Sequence, residues 1–315
     1  MKGEMLDLMR HLAWVGVLLL LASLVSEVLA QRPRIKKFAP VARNLRARAR
    51  GWWTMAGVVA LFYLPGPGGV LFLFAIVSMG ALRELLTLTT RHKADHWAFV
   101  ASFFVVLPIQ YLSIWFDWYG FYAVFIPVYG FFLLPMLSVL RGRTHRFLSR
   151  VAETQWGLMV AVFCTSHLPA LLYVDIPGFE GGNLLLTIFL VLVAQSADMF
   201  QHAASVAFGK TPIAPVISQS RTWEGFALGV MAAFVLGGLL SWLTPFGILP
   251  AAFMAAAIAG CGSMGRLVMA AIKRDRGVKD WGHMNDGQGG FIDRLDSVIF
   301  AAPIFFHLTR FFWAV

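Results

Sequence analysis

Apolar runs of bilayer-spanning length recur along the chain, and no other feature limits its fold so strongly. A helix needs about 20 apolar residues to cross the hydrocarbon layer. Candidate spans lie at roughly 11–30, 52–64, 68–82, 96–114, 119–140, 156–174, 184–202, 225–244, 248–271 and 297–314. Backbone N–H and C=O groups in lipid must find partners within the segment, so spans of this kind are helices. Of 315 residues, 59% are hydrophobic and only 13% charged, whereas soluble domains carry about a quarter charged residues. The expectation is an all-α polytopic membrane protein with about 8–10 transmembrane helices. No polar stretch is long enough for a separate soluble domain. The opening "MKGEMLDLMR" and its apolar run resemble a leader, but the run is long and has no clear A-x-A site, so it reads as the first helix. The second run is short, and "LPGPGG" after it predicts a tight turn. Cys164 and Cys261 fall inside apolar runs and read as small buried hydrophobes.

Charge orients the chain. With the N-terminus outside and the spans alternating, the inner loops are 31–51, 83–95, 141–155, 203–224 and 272–296. They hold nearly all the Lys and Arg. Only Lys2, Arg10 and Arg310 fall outside, apart from Arg266 near the inner end of a span. This is the positive-inside pattern. It also accounts for the net charge of +10 without nucleic acid. "QRPRIKKFAPVARNLRARAR" carries eight Lys/Arg and no acid, as expected of a topology determinant touching anionic lipid.

One inner loop is unlike the rest. "KRDRGVKDWGHMNDGQGGFIDRLDS", residues 273–297, holds five Lys/Arg, five Asp and a glycine cluster, then runs into an apolar span. Asp293 and Asp296 lie three apart at the start of a predicted helix, so both carboxylates fall on one face and can share a metal ion. Hard oxygen ligands beside phosphate point to Mg²⁺. Gly287, Gly289 and Gly290 allow backbone N–H groups to approach a phosphate, and Lys273, Arg274 and Lys279 add positive charge. The bland alternative is a salt-bridged loop. A second inner stretch, "FGKTPIAPVISQSRTWEGF" (208–226), supplies Lys210, Arg221 and Glu224 in a proline-stiffened loop. Before it, Asp198, Gln201 and His202 form a polar face at the inner end of an apolar span. Acids at such depth are costly and default to function.

These residues carry a resemblance. "A-A-I-K-R-x(4)-K-D-x-G-…-G-Q-G-G-F-x-D-R-L-D" resembles the signature of the phosphatidate cytidylyltransferases, or CDP-diacylglycerol synthases. That family reads S-x-[apolar]-K-R-x(4)-K-D-…-P-G-H-G-G-x-x-D-R-x-D. "S-Q-S-R-T-W-E-G" (218–225) is similar to the family's S-P-K-K-T-W-E-G, "F-G-K" (208–210) matches the element before it, and Asp198 matches an acidic position. The similarity covers roughly 190–315, so a transmembrane region 1–180 followed by a catalytic region 181–315 is expected. The chain departs from the pattern at Ala270 (Ser in the family), Gln288 (His), Asp286 (Pro) and Ser220 (a basic residue). Arg266 stands where many bacterial members carry Asp.

The resemblance implies that a lipid phosphate attacks the α-phosphorus of CTP and releases pyrophosphate. Its implied catalytic set is Asp293, Asp296, Lys273, Arg274, Lys279 and Asp280. Phosphate binding would fall to Lys210, Arg221, Gly287, Gln288, Gly289, Gly290 and Arg294, and Mg²⁺ to Asp293, Asp296 and Asp198. The implied partners are CTP, a phosphatidate-type lipid and the bilayer, with a homodimer as an open question. The implied place is the bacterial inner membrane, with the active site facing the cytoplasm. The rivals are a non-catalytic relative that binds CTP or anionic lipid, a CTP-dependent lipid kinase and, less in keeping with charges gathered at one face, a transporter.

Overall fold

A computed structural model of the protein describes residues 16–17, 20, 39–88, 95–140, 142, 144–278, 280–282 and 290–314, with backbone alone for 39–50. Among the described residues, seven helices are long and apolar enough to cross a membrane. The expected span at 11–30 lies almost wholly outside them. Helix α1 is Ala39–Tyr63, of which Gly51–Tyr63 is a shorter apolar stretch. The long spans are α2 (Pro67–Thr87), α3 (His96–Trp115), α4 (Tyr119–Val139), α5 (Phe147–Tyr173) and α6 (Asn183–Phe208). Strands β1 (Pro212–Ala214) and β2 (Ser218–Thr222) follow, then the short apolar α7 (Trp223–Leu239), α8 (Ile248–Asp275) and α9 (Phe291–Trp313). The chain is an all-α polytopic membrane protein carrying one small hairpin.

The expected tight turn after α1 is present. Gly66 takes φ 95°, which suits glycine, and Pro67 opens α2. Helices α3 and α4 contain π-helical turns at Ser102–Val106 and Phe125–Gly130. Pro108 and Pro127 lie just after or inside them, where a missing N–H interrupts the i→i−4 ladder. Two spans extend beyond expectation through charged residues. Helix α2 runs past residue 82 through Arg83 and Glu84. Helix α5 begins at Phe147 rather than 156, because Arg150 and Glu153 find partners in Asp95 and Arg276 at 2.8 Å each. The 208–226 stretch, expected as a stiffened loop, pairs β1 with β2 antiparallel.

Close helix contact is made with small residues, as lipid gives apolar side chains no reason to leave it for a neighbouring helix. Gly225, Gly229, Ala233 and Gly237 recur every fourth residue along α7, and all are buried. A Cβ at Gly229 would lie 2.9 Å from the Gln201 Cβ on α6. On the same stripe, one at Gly237 would meet Ala255 on α8. Helix α5 is the central span, with 83% of its apolar window buried. The expected division at 180/181 falls in the turn between α5 and α6, yet α9 packs on α2 and α5 as well as on α6 and α8. The sites on α9 are therefore braced by both regions.

Candidate active site

The charged groups gather where α6 and α8 end and α9 begins. Two clusters result. In the first, Arg266 Nη2 on α8 lies 2.9 Å from Asp198 Oδ1 on α6, and Arg221 Nη2 on β2 lies 3.4 Å from the same oxygen. Gln201 Oε1 accepts from Arg221 (3.2 Å), Arg266 (3.1 Å) and Ser263 (2.8 Å). A guanidinium with its fork of donors is suited to bridging a carboxylate and an amide in this way.

The motif "T-W-E-G" holds β2 against α6. Thr222 caps α7, accepting from the Gly225 N–H at 3.2 Å, and donates to Ser205 on α6. Glu224 accepts from the backbone N–H of Lys210 (3.1 Å) and Thr211 (3.2 Å). The Lys210, Glu224 and Thr211 N–H groups hold its carboxyl down to about 2. Gly225 lets α6 approach closely, since a Cβ there would sit 2.9 Å from the Gln201 carbonyl oxygen. Lys210 is exposed beside this turn.

The second cluster is the head of α9. Asp293 accepts from Lys273 Nζ with Oδ1, and from the N–H groups of Trp281 and Gly290, both at 3.0 Å, with Oδ2. The Gly290 bond is the back-reaching half of a capping box. Lys273 also lies 5.8 Å from the Trp281 ring centroid. Arg294 and Asp296 are half-buried on the next turn, and Arg274 and Asp280 are exposed. Glu84, on α2, accepts from the N–H groups of Phe291 (2.9 Å) and Ile292 (3.2 Å). Next to this head, an apolar cleft is lined by Leu85, Trp156, Val160, Ile272 and Trp281, with the Glu153–Arg276 pair also on its wall.

The structure thus brings Arg221 to Asp198, and Lys273 and Gly290 to Asp293, with Arg294 and Asp296 following on α9. The proposed phosphate ligands Lys279, Gly287, Gln288 and Gly289 lie outside the described residues. Glu84 and Trp281 were not among the residues expected at the site, and Arg266, placed near the inner end of a span and noted as a departure from the family's Asp, is the partner of Asp198. A signal for Glu84 was available, namely an acid one helical turn after Gly80 at the end of an apolar run.

A family model described as the cytidylyltransferase family matches residues 46–312. The chain belongs to the cytidylyltransferase family. It is 36% identical over 309 residues to YnbB of Escherichia coli (strain K12), an uncharacterized protein, covering 96% of this chain and 98% of that protein. It is 27% identical over 268 residues to the phosphatidate cytidylyltransferase of Bacillus subtilis (strain 168), covering 82% and 95%. A shorter match, 38% over 110 residues, covers 35% of this chain and 41% of the phosphatidate cytidylyltransferase of Aquifex aeolicus (strain VF5).

In this member of the family the carboxylates differ in their suitability for Mg²⁺. Asp293 and Asp296 offer hard oxygen donors one helical turn apart, the kind that Mg²⁺ takes. Binding there would require Asp293 to exchange its Lys273 partner. Asp198 already faces two guanidiniums. A metal at Asp198 would have to displace one of them, so the α9 pair is the better ligand set.

Proposed function

We propose that this chain transfers the cytidylyl group of CTP to a phosphatidate-type lipid phosphate, giving CDP-diacylglycerol and pyrophosphate in phospholipid biosynthesis. The observation that carries this reading is the head of α9. There Asp293 meets Lys273 at the end of a membrane-crossing helix, with a second carboxylate, Asp296, one turn on, in a chain of the cytidylyltransferase family. The phosphatidate cytidylyltransferases among its relatives support the same acceptor. The charge partition supports a cytoplasmic site in a bacterial inner membrane.

The reaction needs position and charge more than proton transfer, because a lipid phosphate is already ionised at neutral pH. Lys273, paired here with Asp293, would supply positive charge to a phosphate if Asp293 served as a metal ligand. Arg221 holds the edge of the site from β2, and Lys210 adds positive charge from the neighbouring turn. The cleft beside α9 has the apolar lining an acyl chain needs, next to the charged head. Mg²⁺ held by Asp293 and Asp296 would neutralise phosphate charge as pyrophosphate departs. Gln288, with the glycines around it, would donate to the triphosphate.

The test is a labelled assay with purified protein, CTP carrying label at the α-phosphate, Mg²⁺ and phosphatidate. A labelled CDP-lipid is the expected product. Labelled free CDP with an unlabelled lipid would establish a lipid kinase instead. CTP binding without turnover would establish a non-catalytic relative, the reading that Ala270 and Gln288 favour.

A further inference from the structure

The head of α9 is held from the far side of the sequence. Its first N–H groups have no acceptors within their own helix, as at every helix start. Glu84 fills that need with one oxygen on the Phe291 N–H (2.9 Å) and the other on the Ile292 N–H (3.2 Å). The backbone closes tightly around this carboxylate. A Cβ at Gly282 would lie 2.7 Å from Glu84 Oε1, and one at Gly290 would run into the carboxylate. One turn earlier on α2, Gly80 makes room for the Phe291 ring, since a Cβ there would lie 2.6 Å from Phe291 Cε2. Helix α2 therefore grips the head of α9 at two points on one face. Asp293 follows Ile292 directly, and Asp296 lies one turn beyond.

We propose that Glu84 is a positioning residue for the reaction: its carboxylate caps α9 from α2 and so sets where Asp293 and Asp296 point. An acid near the hydrocarbon layer is costly. Here the positive end of α9 and two charge-assisted hydrogen bonds offset that cost. The arrangement also assigns the first two N–H groups of α9 to the protein, so a substrate phosphate must bind to other donors. Gly290 and Gly282 are then glycines because the carboxylate occupies the space of their side chains.

The kinetic part of this inference rests on the proposed cytidylyl transfer, and the capping part does not. The experiment therefore has two readouts on the full-length purified chain. In hydrogen–deuterium exchange, Glu84→Ala should speed exchange across 291–296 by roughly tenfold or more while α6 and α7 keep wild-type rates. Unchanged exchange there overturns the proposal. In the CTP assay, Glu84→Ala should lower kcat by about 10²-fold, the scale of an ångström's misplacement, with the KM for CTP within roughly threefold of wild type. Glu84→Gln keeps one carbonyl acceptor and should recover part of that loss, and it serves as the test variant if the alanine protein does not fold. Wild-type kcat in both variants, or a lower KM for CTP, overturns the proposal, the latter by showing that the carboxylate competes with phosphate. An inactive wild-type chain would overturn the cytidylyl-transfer reading alone, since the exchange result still decides the cap.

Discussion

Arg266 Nη2 lies 2.9 Å from Asp198 Oδ1, and the two side chains are only 3% and 5% exposed. The pair links α8 to α6 inside the bundle, and the same guanidinium donates to Gln201 and Ser263. Removing one member of a buried pair leaves a charge with too little compensation, at a cost of about 3–5 kcal/mol. Asp198→Leu should therefore lower stability by about that amount. Arg266→Met should cost less, because Arg221 still reaches Asp198 at 3.4 Å. The double variant should recover much of the Asp198→Leu loss. Thermal unfolding in detergent measures all three. A double variant as unstable as the sum of the singles would show that the two residues do not act as a unit.

Asp293 and Asp296 should be separable from folding. Asp293→Asn keeps an oxygen for the Trp281 and Gly290 N–H groups but gives up the charge facing Lys273. Each Asn variant should elute as the wild-type protein on size exclusion and lose about 10²-fold or more in CTP turnover. Near-normal turnover at any Mg²⁺ concentration in either variant would refute the metal assignment.

Two glycines on neighbouring helices should respond in opposite ways. A Cβ at Gly225 meets Ser205 and the Gln201 carbonyl, so Gly225→Ala should push α7 off α6 and cost about 1–3 kcal/mol. A Cβ at Gly260 on α8 meets nothing within 4 Å, so Gly260→Ala should be neutral or should stabilise by up to about 1 kcal/mol through helix propensity. Detergent melting curves of the two variants decide. Equal effects would mean that the close α6–α7 approach is not what Gly225 provides.

Gln288 can donate a hydrogen bond but cannot exchange a proton near neutral pH. With a phosphate nucleophile that arrives ionised, Gln288→His should change kcat by roughly tenfold or less. A gain of about 10²-fold would mean that proton transfer matters at this position. Steady-state rates of the two proteins across pH settle the question.

From the charge partition, the α8–α9 connection is expected on the cytoplasmic side. Asp275 is 73% exposed at the end of α8, so a cysteine there is open to reagent. With Cys164 and Cys261 replaced, Asp275→Cys should resist a membrane-impermeant maleimide in intact cells and react in inverted vesicles. Labelling from outside intact cells would reverse the orientation.

Most of the helical framework was legible in the sequence because its causes are local. Hydropathy over some twenty residues decides whether a segment crosses lipid, and the described spans fall close to those expected. Spacing alone likewise put Asp293 and Asp296 on one face of α9. The packing of α7 was also readable, as small residues at every fourth position, though it was not read. Tertiary structure decided the partners. Glu84 and Phe291 are 207 positions apart, and Arg266 and Gln201 are 65 apart, so neither pairing leaves a periodic trace in the chain. Buried charges choose among whatever donors the packing brings near. Helix α2 ends beside the head of α9 because Gly80 admits the Phe291 ring, and that contact exists only once the bundle has formed.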